Sequence, residues 1–325
     1  MQIEECLDRV FAMDALSWLS DLPSGVGTLA VVDGPYNLRK AAWDKFPSWE
    51  AFREWHAPYW QELSRVLRDN CSLYVFGTFE GLAALKQDLD GLGDGWRYRA
   101  HVVWHKIDAR PQCGWRSQRT FPPMTEDIII YTRERAGIGP GAAIADARRK
   151  AGLKSTDVDV LLGYVRSAHP SRGTELCRRW EEGSSVPSAD DFVAAMRVCG
   201  AAGDYAQLLV EYDAARYPFN PAPNTSNVWA APQCGAGERI KLNGETAHVA
   251  QKPLAIMRRI VQASSNEGDT VIVPFSGLGS CEVACAELGR RFAGCDLDPG
   301  YVEIARARIA KALRSVQPAL ALEAP

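Results

Sequence analysis

The sequence lacks any run approaching the roughly 18 consecutive apolar residues that a membrane-spanning helix needs. Its opening, Met1-Gln-Ile-Glu-Glu-Cys6, has neither the basic stretch nor the apolar core of a signal peptide, so no membrane partner is expected. The nine cysteines are odd in number and scattered. No Cys-x-x-Cys occurs, and no His/Cys cluster stands at zinc spacing, so neither a disulfide framework nor a metal is expected. Cys281 and Cys285, four apart on a predicted helix, read as small buried apolar residues, and a reducing cytoplasm is the expected setting. An excess of positive charge is missing too: 37 Lys and Arg stand against 40 Asp and Glu, a net charge of -3. That removes the bulk signature of a nucleic-acid binder but leaves room for a local basic cleft. Internal repeats are absent. The 325 residues, 46% hydrophobic and 24% charged, suffice for one large α/β domain and a smaller one.

Along the chain, Thr28-Leu-Ala-Val-Val-Asp33 is a short apolar strand that stops at a turn-forming Gly-Pro. Ser48 caps a helical pattern running to about Leu67. Cys71–Phe76 reads as a strand, Gly81–Leu92 as a helix, and Tyr98–Trp104 and Asp127–Thr132 as strands. Such alternation predicts a mostly parallel sheet. After Ala136-Gly-Ile-Gly-Pro-Gly141 the pattern turns helical up to about Gly200, and Tyr217–Ser226 is rich in Pro and Asn. The α/β pattern resumes with a helix over Gln251–Val261, Pro in its first turn. A strand over Asp269–Val273, a glycine loop, a helix over Cys281–Leu288, a strand ending at Asp296 and a helix over Tyr301–Leu313 complete it. The expected domains are 1–135 and 217–315 as two halves of one α/β domain, 136–216 as a small all-α insertion, and a tail over 316–325.

Strand, Gly-x-Gly, helix, then a second strand ending in an acid is the logic of adenosine-cofactor binding. The glycines allow close backbone approach, and the acid holds ribose hydroxyls. Gly277 and Gly279 supply the first part and Asp296 the second. Alone, Gly-x-Gly is equally a tight turn. The third glycine of a pyrophosphate loop is missing, which favours S-adenosylmethionine over a dinucleotide. Asp33-Gly34-Pro35-Tyr36 is compatible with a plain β-turn, but also with a pocket for an exocyclic amine. The lone pair of such an amine is delocalised into the base, so it attacks only if acceptors hold its N–H groups. Asp33 and the Gly34 carbonyl are candidate acceptors, and Tyr36 can stack on a base extruded from the duplex. Cytosine C5 chemistry is set aside, because its thiolate in a Pro-Cys pair has no counterpart here.

Taken in order, these motifs resemble the β-class DNA amino-methyltransferases. In that family a D/N/S-P-P-Y motif comes first, a target-recognition insertion follows, and an F-x-G-x-G cofactor loop comes last. Val103-Trp-His-Lys106 resembles the family's W-x-K strand end, and Met124–Tyr131 resembles its next strand. His248-Val-Ala-Gln-Lys-Pro253 resembles H-P-x-Q-K-P. Leu288–Gly294, and Asp296 to Tyr301 with Ala305 and Arg308, resemble the closing signatures. The likeness spans about residues 8–133 and 217–312. It implies a Rossmann-like, mostly parallel sheet of the class I methyltransferase type, S-adenosylmethionine as cofactor, and double-stranded DNA as partner. It also implies catalytic roles for Asp33, Gly34, Pro35 and Tyr36, with Pro274, Phe275, Ser276, Gly277, Gly279, Asp296, Lys252 and His248 binding the cofactor. Asp in the first motif favours adenine N6 over cytosine N4. Homodimers and a cognate restriction nuclease are further expectations of the family. Two positions depart from it. Gly34 replaces the first proline and keeps the carbonyl with less rigidity. Val273 stands where the family has Asp, which implies weaker cofactor binding or compensation elsewhere. Ser280-Cys281 also replaces Thr-Thr.

Within the insertion, Ile144–Gly163, Arg178-Arg-Trp-Glu-Glu-Gly183 and Val186–Phe192 resemble a repressor-type helix-turn-helix, with an extra stretch over Tyr164–Thr174. That likeness places DNA contacts at Arg166, His169, Arg172, Arg178 and Arg179. The loop from Lys106 to Arg119 adds Lys106, Arg110, Arg116 and Arg119 as candidates. From Ala142 to Gly200, nine Lys/Arg face eight Asp/Glu, so a structural or protein-docking insertion stays open. So does a DNA-binding regulator with a decayed methyltransferase fold.

Overall fold

The computed structural model describes residues 2–93, 95–109, 121–134, 138–166, 169–183, 185–223, 225–235, 237–242, 244–248 and 250–320, and within these all side chains except those of 166, 169–172, 214 and 316–320. In chain order the strands are β1 (Arg9–Ala12), β2 (Gly27–Val32), β3 (Leu67–Gly77), β4 (Trp96–Lys106), β5 (Thr125–Arg133), β6 (Val165–Arg166), β7 (His169–Gly173), β8 (Val228–Ala231), β9 (Lys241–Leu242), β10 (Glu245–Thr246), β11 (Thr270–Val273) and β12 (Arg291–Asp296). The helices are α1 (Ile3–Cys6), α2 (Ala15–Asp21), α3 (Trp49–Val66), α4 (Phe79–Asp90), α5 (Pro140–Lys150), α6 (Ser155–Leu161), α7 (Leu176–Glu181), α8 (Ala189–Val198), α9 (Tyr205–Ala215), α10 (Leu254–Ser264), α11 (Ser280–Glu287) and α12 (Pro299–Leu320).

Two compact units result: residues 1–133 with 217–325, and residues 134–216. In the first, eight strands lie in the order β1-β12-β11-β2-β3-β5-β4-β8. All neighbours pair in parallel except β5, which runs against both β3 and β4. Every residue of β2 and β11 is buried, as expected for central strands covered on both faces. One face packs its apolar side chains (Val31, Val271, Phe292) under α10, α11 and α12. The other (Ala30, Ile272, Ala293) packs under α2, α3 and α4. Side-chain caps start three helices, α3 at the expected Ser48 and α2 and α4 at Asp14 and Thr78. Asp14, Ser48 and Thr78 accept hydrogen bonds from Ser17, Ala51 and Gly81 N–H, each cap adding about 1 kcal/mol. This is the mostly parallel α/β sheet expected. β1 and β8, unforeseen, form its two edges, and α2, also unforeseen, covers one face. α10 starts after Pro253, which serves as its N-cap.

The 134–216 unit has its own core, including Ile144, Val158, Trp180 and Phe192. Four of its helices answer the helical pattern, and α9 extends it. The expectation of a purely helical insertion needs correction: β6 and β7 form an antiparallel hairpin within the Tyr164–Thr174 stretch. The buried Asp159 carboxylate accepts from Leu176 and Cys177 N–H at 3.0 and 2.8 Å, fastening the start of α7 to α6. Among the described residues, no helix is long and apolar enough to cross a membrane.

Candidate active site

In a sheet of this kind, ligands collect at the carboxyl ends of the parallel strands. A cavity of about 1550 Å³ opens there, larger than the roughly 300–1,000 Å³ that one small ligand fills. β2 delivers Asp33, Gly34, Pro35 and Tyr36 to its wall. β11 delivers Pro274, Phe275, Ser276 and Gly277, β12 delivers Asp296, and the segment before α10 delivers His248 and Lys252. Motifs more than two hundred residues apart therefore share one space.

The Asp33 loop is fixed by a residue that sequence reasoning missed. Asp44, buried, accepts from Tyr36 and Asn37 N–H on one oxygen (both 2.7 Å) and from Leu38 and Lys40 N–H on the other (3.0 and 3.4 Å). It holds Asn37 and Arg39 in the left-handed region, at φ 63° and 58°, which costs of order 1–3 kcal/mol for such residues unless the surroundings enforce it. Gly34 has a local reason as well. A Cβ there would stand 3.1 Å from the Phe275 ring, so glycine lets the two motifs pack closely.

Asp33 Oδ1 accepts from the Tyr36 hydroxyl and from Lys252 Nζ, both at 2.7 Å. Lys252 Nζ also lies 3.1 Å from Glu126 Oε1, and Lys106 Nζ lies 2.8 Å from Glu126 Oε2. Two carboxylates and two ammonium groups thus balance within one half-closed network. Burial alone would depress the Lys252 ammonium, but Asp33 and Glu126 overcome it and hold the charge on. Burial would likewise raise the Glu126 carboxyl, yet Lys252 and Lys106 hold it below the usual range. The Tyr36 hydroxyl, buried beside both acids, is pushed well up and stays protonated. Asp33 Oδ2 has no hydrogen-bond partner among the described residues.

Around the glycine loop, Gly277 and Gly279 take φ +51° and +73°. A Cβ on Gly279 would also collide with Ala305 of α12 at 2.8 Å. Gly277 N–H donates to Asp296 Oδ2 at 2.8 Å, and Asp298 N–H donates to Oδ1 at 3.0 Å, so the acid is fixed with lone pairs to spare. Arg308 clamps the loop through the Leu278 carbonyl. The His248 ring stacks on Trp43 (6.3 Å between centroids, 15°) and meets Tyr301 edge-on. Burial depresses its pKa, and Nδ1 accepts from Ala250 N–H, so Nε2 carries the proton.

Lys252, expected at the cofactor, stands against Asp33. Lys106, expected on DNA, lies in the cavity wall on Glu126. Arg110, Arg116 and Arg119 lie outside the described residues, as do the side chains of Arg166, His169 and Arg172, whose backbone forms β6 and β7. Arg178 and Arg179 are exposed on α7, Arg178 between Glu175 and Glu182. Missed besides Asp44 were Glu126 and Glu282. Glu282, in α11, is fully buried with no hydrogen-bond partner for either oxygen among the described residues. A Cβ on Gly294, the register partner of Val273, would stand 2.5 Å from its Oε1. An acid is therefore present beside Val273, supplied by the helix, and burial raises its pKa to about 7.

Residues 28–307 match the family of N6/N4-type DNA methylases. The chain belongs to that family. Membership makes this protein a DNA methylase, and the family's methyl donor is S-adenosylmethionine. The methylase is 25% identical over 299 residues to the type II methyltransferase M1.MboII of Moraxella bovis, covering 91% of this chain and 94% of that one. Its fold is similar to the PvuII cytosine-N4-specific DNA methyltransferase (10% identity, TM-score 0.53, 94% of this chain and 91% of that one). It is also similar to a DNA modification methylase of Thermus thermophilus, TTHA0409, in its complex with S-adenosyl-L-methionine (18% identity, TM-score 0.50, 94% and 95%).

Proposed function

We propose that this methylase acts on the exocyclic amino group of a base turned out of duplex DNA, adenine N6 in preference to cytosine N4. The observation that carries the reading is Asp33: one oxygen is pinned by Lys252 and Tyr36, while the other has no partner among the described residues and lies in a cavity shared with the glycine loop.

The cavity fits the methyl donor. Gly277 leaves its wall without a side chain, Asp296 retains lone pairs for hydroxyls, and the apolar Leu297 and Pro299 follow it in the lining. When bound, S-adenosylmethionine supplies an electrophilic methyl group on a sulfonium. Pro274–Gly277, Asp296 and His248 hold and orient it, while Gly279 allows the loop to turn.

On the other side of the cavity, Asp33 accepts an N–H of the target amine and stabilises the positive charge that grows on nitrogen as the bond to carbon forms. The Gly34 carbonyl takes the second N–H, with Pro35 stiffening the turn. The Tyr36 ring stacks on the base while its hydroxyl positions the Asp33 carboxylate. Lys252 holds that carboxylate in position through Oδ1, and Glu126 with Lys106 keeps Lys252 in place.

The order of motifs is that of the β class. Residues 136–216 are the target-recognition unit of helix-turn-helix type, using Arg166, Arg172, Arg178 and Arg179. Arg110, Arg116 and Arg119, from the loop that follows Lys106, add contacts to the duplex. The likeness to a type II methyltransferase supports a place in restriction–modification, opposite a nuclease of the same specificity. A balanced ion network around Asp33 argues against a decayed fold kept only for DNA binding.

Replacing Asp33 by Ala should cost at least ~100-fold in methyl transfer and leave cofactor affinity by calorimetry nearly unchanged. Sequencing of DNA from expressing cells, with detection of both modified bases, checks the product. Transfer by Asp33→Ala at the wild-type rate would show that the pocket is elsewhere.

A further inference from the structure

Four large apolar side chains stand exposed around the mouth of the cavity: Leu38 (44%), Trp43 (47%), Phe79 (70%) and Leu297 (73%). Three have an account. Leu297 follows Asp296 on the cofactor side, Trp43 stacks on His248 there, and Leu38 sits in the loop that Asp44 holds. Phe79 has none. It is the first residue of α4, just past the end of β3. That strand lies between β2, which ends one residue before Asp33, and β5, whose second residue is Glu126. Phe79 therefore stands at the mouth of the half that takes the base.

The backbone at its base is held by local bonds. Thr78 Oγ accepts from Gly81 N–H at 3.2 Å, and the Thr78 carbonyl accepts from Leu82 N–H at 2.8 Å. The buried Leu82 side chain fills the space against Gly77, where a Cβ would come within 2.9 Å. The backbone that carries Phe79 is thus held in place, and its ring, 70% exposed, is free to meet a ligand at the mouth. A duplex that has given up one base has lost stacking on both sides of a gap, at a cost of a few kcal/mol. Apolar wedges inserted between base steps offset such costs, and an aromatic ring does so whatever its neighbours, because every base has a π face.

We infer that Phe79 is a wedge: it enters the stack of duplex DNA and occupies the gap left by the extruded base. The inference rests on the DNA-methylation reading above. A ring that instead stacked on the base inside the pocket would serve single strands and duplexes alike, whereas a wedge matters only where there is a stack to enter.

The test uses the full chain, tritiated S-adenosylmethionine and sheared genomic DNA from a bacterial strain without amino-methylases, given either native or heat-denatured. Phe79→Ala should lose on the order of tenfold in kcat/KM on native duplex and keep the wild-type rate on denatured strands, the latter also reporting that it folds. Phe79→Trp should restore the duplex rate. Equal loss on both substrates, or none on duplex, overturns the wedge while leaving the methylation reading standing. Transfer by the wild-type chain to neither form overturns that reading, and the wedge with it.

Discussion

At the residue scale the site is a problem of burying like and unlike charges together. Asp33 and Glu126 tolerate their closeness because Lys252 lies between them, 6% exposed, and Lys106 faces the far oxygen of Glu126. Breaking such a network by removing one partner leaves unpaired buried charge, which costs about 3–5 kcal/mol. Lys252→Met should lower Tm accordingly. It should also move the acid limb of the activity–pH profile upward, because Glu126, which Lys252 helps hold below the usual range, then needs a higher pH to ionise. A purely structural lysine would lower Tm without moving that limb. Glu282 makes the opposite case. Its pKa is raised by burial to about 7 from an ordinary value near 4.5, so between these values the folded state binds more protons than the unfolded one. Stability then falls as pH rises through that window, by roughly 3 kcal/mol in all. Glu282→Gln should remove the slope, so that denaturation midpoints at pH 5 and pH 8 come closer together than in the wild type. An unchanged slope would show that Glu282 is ionised at a normal pKa.

At the element scale the decisive feature is the reversal of β5. The other seven strands present their carboxyl ends to the cavity. β5 runs against its neighbours and so presents its beginning, with Glu126 opposite Trp104 in register. Glu126 was visible in the sequence only as one acid in an apolar strand pattern, since a period of two says which face a residue takes but not which way the strand runs. Asp44 was hidden for a related reason, because its four N–H partners lie in an irregular loop with no period at all. Asp44→Ala should leave Asn37 and Arg39 without their restraint. We expect kcat to fall by up to about 100-fold, since a displacement near 1 Å at a reacting centre has effects of that order. KM for S-adenosylmethionine should stay nearly constant, because the glycine loop is built on other strands. The glycine loop was legible because its requirement is local: Gly277 and Gly279 both adopt positive φ, which a one-dimensional pattern of strand, glycines and helix announces.

At the scale of the whole molecule, two units divide the chain, and each has its own core. The 134–216 unit carries Arg178 and Arg179 exposed on α7. If it reads DNA, the double substitution Arg178→Glu with Arg179→Glu should weaken duplex binding at least tenfold in a low-salt mobility-shift assay and flatten its salt dependence, since each lost phosphate contact reduces the number of ions released. Cofactor affinity should be unaffected. Unchanged DNA affinity and salt slope would assign this unit to another partner.

The sequence by itself determined the family, the mostly parallel α/β sheet and the two motifs of the site. These rest on local requirements: glycines at positive φ, an acid at a strand end, and apolar runs of period two or 3.6. It also marked Gly34 and Val273 as departures, without saying how they are accommodated. Tertiary structure decided the rest. Gly34 is where Phe275 comes close, an acid on α11 stands beside Val273, Lys252 serves Asp33, and a reversed strand brings Glu126 into the same network. None of these has a signature along the chain, because each is a meeting of side chains set by strand order and direction, and charges bury together only where the fold has brought their partners.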